Sequence, residues 1–64
     1  MEELQKLLGE SIGKTFTMYF TRTDYISGKL TKVSPSHVVL ETADGAEQYV
    51  MLARVTYFVI VRGR

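Results

Sequence analysis

At Lys14 the spacing of apolar residues changes from three and four to two, and the chain keeps the shorter period to its end. A pattern of one period cannot serve the other kind of element, because a helix repeats every 3.6 residues and a strand every two. Before the change, Leu4, Leu7, Leu8 and Ile12 form the apolar stripe of a short amphipathic helix. Glu2 and Glu3 sit where a helix N-terminus favours negative charge, and Gly9 is the expected point of closure. So short a helix is not stable alone and must lie on an apolar surface.

After the change, Phe16, Met18 and Phe20 alternate with Thr15, Thr17, Tyr19 and Thr21, a β-branched and aromatic mixture suited to a pleated strand. Arg22 to Asp24 reads as a polar turn. Ile26, Gly28 and Leu30 then continue the inward face until Val33 breaks the parity, which predicts a sharp bend or a bulge. Ser34 to Ser36 form the next turn, and Asp44-Gly45 is a strong hairpin signal. The expected elements are a helix over 2–9 and strands over 14–22, 25–33, 37–42, 46–52 and 55–62, in a single domain. Five short strands, one bent at a glycine, predict a small closed barrel, since closure removes exposed edges.

Composition narrows what can hold such a fold together. The chain has 64 residues and no cysteine, so hydrophobic contact must supply the stability, and self-association is a natural addition to it. It is 45% hydrophobic and 23% charged with one proline, the profile of an ordered globular chain. The longest apolar run, Tyr57 to Val61, is too short to span a bilayer, and the acidic start does not resemble a secretory leader, so the expected location is cytoplasmic with no membrane contact. A net charge of +1 does not mark a nucleic-acid binder by itself.

With that order of elements, the sequence resembles the Sm-like superfamily, the Sm, LSm and Hfq proteins, and is most similar to short bacterial Sm-like proteins of unassigned function. The likeness rests on Leu4, Leu7 and Leu8, on Ile12-Gly13-Lys14, on Gly28-Lys29-Leu30 with Val33, and on Val38 to Glu41. It implies a mainly β fold, a short N-terminal helix followed by a strongly bent five-stranded antiparallel barrel of SH3-like or Sm-like type. It also implies a homo-oligomeric ring of about five to seven subunits joined through strands four and five, and often single-stranded RNA at the pore. RNA-binding members carry an aspartate and an asparagine between strands two and three, where this chain has Ser34-Pro35-Ser36-His37-Val38. His37 falls near the base-stacking position when aligned from Gly28 and near the amide position when aligned from Leu40-Glu41. The second Sm motif falls near Leu52-Ala53-Arg54-Val55, with a displaced arginine, while Val61-Arg62-Gly63 repeats its letters after the last strand.

The candidate RNA-binding residues are therefore Ser36, His37 and Arg54. His37 is suited to stack on a base or to donate a hydrogen bond, and Arg54 to meet a phosphate. The plainer readings are a ligand-free turn histidine and a surface arginine or intersubunit ion pair. Tyr19, Tyr25, Tyr49 and Tyr57 suit either base stacking or half-buried packing. Strand five is apolar on both faces, which makes Val55, Tyr57, Val59 and Val61, with Tyr49 and Met51 of strand four, the candidate oligomer interface. The lone histidine excludes paired-histidine metal sites within one chain, and Glu41, Asp44 and Glu47 gather at a hairpin where solvated acids are routine. No enzyme, cofactor or metal site is expected. A ring-forming binding module that takes RNA is the first reading, and a structural or protein-interaction homo-oligomer without nucleic acid is the alternative. A monomeric SH3-like adaptor comes third.

Overall fold

The computed structural model describes residues 2–61, with the backbone alone at residue 2. Helix α1, Glu2–Glu10, runs past Gly9, which therefore does not close it. The closure comes later: the Ser11 N–H donates to the Leu8 carbonyl and the Ser11 hydroxyl to the Leu7 carbonyl, both near 3 Å. Gly13 then turns the chain with a positive φ of 99°, a conformation glycine adopts without a Cβ penalty. Its N–H donates to the Leu30 carbonyl at 2.8 Å, tying the end of the helical segment to the sheet.

Only part of the expected helical stripe is covered. Leu8 is fully buried and Leu4 packs beside it, because residues four apart share one face, whereas Leu7 and Ile12 are exposed. Ile12 lies beyond the helix, in the turn.

Five strands follow: β1 Thr15–Tyr19, β2 Tyr25–Val33, β3 His37–Glu41, β4 Glu47–Met51 and β5 Tyr57–Val61. They form one antiparallel sheet in the order β4-β3-β2-β1-β5. β1 ends at Tyr19, short of the expected 22, because the chain turns at Phe20, whose N–H donates to the Asp24 carbonyl. β5 starts at Tyr57 because Leu52–Arg54 form a single 3-10 turn with Val55 just after it. The expected continuation of β5 to residue 62 and the Val61-Arg62-Gly63 match fall partly outside the described residues. The parity break at Val33 comes from a bulge: the β2–β3 register shifts between Leu30 and Lys32, leaving Thr31 unpaired.

Closure is where the architecture departs from expectation. Among the described residues β4 and β5 are the two edges of the sheet and share no ladder, so the sheet is not closed into a barrel. The core still draws on every element. Leu8, Phe16, Met18, Leu30, Val38, Leu40 and Val50 are buried, with Phe20, Ile26, Val33, Phe58 and Ile60 partly buried against them. Val39 is also buried but lies outside this cluster, on the other face of β3. No helix among the described residues is long and apolar enough to cross a membrane.

Candidate functional site

The turn before β3 and the 3-10 turn after β4 meet at one end of the sheet. The Leu52 N–H donates to the Ser36 carbonyl at 3.0 Å, extending the β3–β4 ladder by one pair. On the other side, the Gln5 side-chain amide reaches the Pro35 carbonyl at 3.3 Å. His37 opens β3 directly opposite Met51, is half-buried, and has its ring centroid 5.9 Å from that of Tyr49. Arg54 is exposed and lines an open cleft of about 570 Å³ whose wall includes Phe20, Ile26, Gln48, Tyr49 and Met51. Tyr49 and Met51 are thus neighbours of both His37 and the Arg54 cleft.

Three of the four tyrosines form one row across the outer face. Tyr19 of β1 is opposite Tyr25 of β2 and Tyr57 of β5. Its ring lies 4.5 Å from that of Tyr57, stacked within 8° of parallel, and 5.2 Å from that of Tyr25, tilted. The pairing of Tyr19 with Tyr25 is readable in the chain, since both flank the 20–24 turn symmetrically. Tyr57 joins them only through the β1–β5 ladder, for which local sequence carries no signal. In the next row the Thr17 and Ser27 hydroxyls are hydrogen-bonded at 2.8 Å.

The candidate interface residues lie mostly on the two edge strands. Tyr49 and Met51 stand exposed on β4, and Tyr57, Val59 and Val61 on β5, each between 42% and 61% accessible. Val55 does not belong to this row: it precedes β5, is half-buried and packs against the core.

Hydrogen bonds at the strand ends reveal which backbone groups the edges leave free. Thr42 N–H to Ala46 carbonyl and Leu52 N–H to Ser36 carbonyl set the even-numbered residues of β4 toward β3. Since neighbours along a strand point their backbone groups to opposite sides, Glu47, Tyr49 and Met51 turn theirs away from the sheet. On β1, the Phe20–Asp24 and Leu30–Lys14 bonds set the even-numbered residues toward β2, and the Tyr19 carbonyl accepts from Thr56 N–H on the β5 side. Tyr57, Val59 and Val61 therefore bond to β1, and Phe58 and Ile60 turn their backbone groups outward. β4 thus frees the backbone of its outer-face residues, and β5 that of its core-face residues. The sequence reading missed this asymmetry, which follows from strand order.

The acids at the hairpin have a structural part. Asp44 accepts from the Thr42 hydroxyl and from the Ala46 N–H, and those bonds, the hydroxyl's first, hold its carboxyl below the usual range. Gly45 completes the turn with a φ of 89°. Among the described residues no three histidine, cysteine, aspartate or glutamate side chains converge on a common point. Comparison with protein-family models, with curated proteins and with solved structures finds no match for this chain.

Proposed function

We propose that this protein is a self-assembling Sm-like module, whose subunits join β4 of one copy to β5 of the next in a ring. In this reading the loop end, with Ser36, His37 and Arg54, is the face offered to single-stranded RNA. One observation carries it: the sheet has two unpaired edges, and each bears an exposed apolar row, Tyr49 and Met51 on one and Tyr57, Val59 and Val61 on the other. Unpaired edges of this kind are a liability unless something pairs with them, and a head-to-tail contact between two different edges propagates into a ring when the rotation closes. The strongly bent barrel belongs to the same proposal, with the gap between β4 and β5 as its seam. Support comes from the way the core cluster wraps from α1 through all five strands despite the open ladder.

A structural homo-oligomer that takes no nucleic acid is the second reading. It is favoured by the cleft beside Arg54, whose other walls are mainly apolar and aromatic rather than cationic. Light scattering coupled to size exclusion tests the assembly, where a monomeric mass at micromolar concentration removes both homo-oligomer readings. Fluorescence polarisation with oligo-uridine and oligo-adenosine at two salt concentrations then separates them. Phosphate-driven binding weakens as salt rises, and an intact oligomer with no binding at low salt leaves the structural reading.

A further inference from the structure

We infer that the cleft between β4 and the β1–β2 hairpin binds a small amphipathic acid, its apolar body lying on Phe20, Ile26 and Val50 and its single carboxylate meeting the Arg54 guanidinium. The site lies within one chain, so the inference goes beyond the assembly reading and stands or falls without it.

The cleft exists because the core has an open side. β4 and the β1–β2 hairpin share no ladder, yet residues of both line one cavity of about 570 Å³. That volume is within the range of roughly 300–1,000 Å³ found for small-ligand sites, which are mostly apolar with a few placed polar groups. Phe20 and Ile26 are the last core-face residues at the hairpin end, and both are left half-buried. Val50 lines the same cleft from β4, on the core face opposite the buried Val38. Covering the rest of Phe20 and Ile26 is favourable in proportion to the apolar area removed from water, and an apolar ligand body does that.

The polar groups of the cleft specify the other half of the ligand. Gln48 occupies the next core-face position of β4, opposite the buried Leu40, where the alternation of the strand calls for an apolar residue. Its side chain is exposed and lines the cleft instead. Arg54 is the one charged side chain among the described residues lining the cleft, and no carboxylate is among them. A guanidinium beside apolar walls favours an oxyanion, which its planar fork can hold by two hydrogen bonds.

Charge then chooses between oxyanions. One guanidinium offsets one negative charge, whereas a phosphate monoester carries about −1.5 to −2 at neutral pH and would set the excess against apolar walls. A carboxylate leaves no excess. Met51, exposed at the rim, is unbranched and adapts to different shapes, so the cleft selects this class of ligand rather than one acid.

Isothermal titration of the intact protein with octanoate, octanol and acetate reads the two halves of the site separately. Octanoate should bind about tenfold more tightly than octanol, because the charge-assisted pair adds to the apolar contact. Acetate should not bind at concentrations where octanoate saturates. Arg54→Gln should weaken octanoate to the level of octanol and leave octanol unchanged, and the retained octanol binding shows that the variant is folded. Gln48→Glu, which places a carboxylate on the wall at an exposed position, should likewise weaken octanoate and spare octanol. In the parent, octanoate should shift the backbone amide resonances of Phe20, Ile26 and Met51. No binding of octanoate, or octanol binding as tightly, overturns the inference. Shifts confined to Tyr19 and Tyr57 place the ligand on the outer face and overturn it too, and tighter binding of octyl phosphate than of octanoate overturns the choice of a carboxylate.

Discussion

Gly28 on β2 and Glu41 on β3 approach so closely that a Cβ on Gly28 would lie 2.9 Å from the Glu41 carbonyl oxygen and 3.1 Å from the Leu40 Cβ. The obstacle is largely backbone, which cannot rotate away as a flexible side chain can. Gly28→Ala should therefore destabilise the fold by about 1–3 kcal/mol through overpacking. Gly28→Val should be worse despite the β propensity of valine. Urea denaturation measures both, and wild-type midpoints would mean that β2 and β3 separate at no cost.

Phe16 and Phe58 pack with ring centroids 5.5 Å apart, but Phe16 is fully buried and Phe58 only partly so. Phe16→Ala should cost about 3–5 kcal/mol, and Phe58→Ala less, about 2 kcal/mol, because less surface leaves water on folding. The ordering is the test: a larger loss at Phe58 than at Phe16 would mean that assembly, not the subunit core, supplies much of the Phe58 burial. Melting measured across a hundredfold range of protein concentration identifies that case, since only an assembly-linked loss varies with concentration.

Val59 is exposed on β5 and does not belong to the core cluster. Val59→Lys should leave the subunit folded and reduce the mass seen by light scattering to that of a monomer, because a lysine ammonium cannot be buried against an apolar strand without large cost. An unchanged mass for that variant would move the assembly contact away from β5.

His37 and Arg54 carry the nucleic-acid part of the proposed function. Alanine at either position should weaken oligonucleotide binding several-fold without changing the oligomer, and loss of Arg54 should also flatten the salt dependence. Equal affinities for both variants and the parent, measured by fluorescence polarisation, would remove the two residues from the site.

The Asp44 carboxyl is held below its free value of 3.8 by the Thr42 hydroxyl and the Ala46 N–H. A carboxyl whose folded pKa is depressed contributes stability that is complete above the unfolded value and lost as pH falls through the folded one. Asp44→Ala should therefore lower the melting temperature slightly at pH 7 and have little effect well below pH 3.8. Thermal melts of both proteins across that range check the sign, and a variant deficit that grows toward acid would contradict it.

Legibility in the chain follows the range of the interaction. The change of period at Lys14, the alternation of Phe16 and Met18, the parity break at Val33 and the turn at Asp44-Gly45 are all local, and each corresponds to a feature of the sheet. The need for a glycine at position 28 was readable too, although its cause, the carbonyl of Glu41, lies on another strand. Ser36 could be singled out by position in the chain, but its link to Leu52 is a backbone bond between two turns, and no side chain announces it.

Composition and period alone determined that this chain is a short helix followed by five antiparallel strands around one apolar core, because burial of alternate side chains depends on spacing that any reader of the chain can count. Only the tertiary structure decided which of two adjacent leucines is covered, Leu8 and not Leu7. It also decided that Tyr57 stacks on Tyr19, and that β4 and β5 remain as edges with opposite faces of their backbone left unpaired. These outcomes depend on strand order and on which side of each strand is already bonded, relations between distant segments that leave no trace in the residues taken one after another.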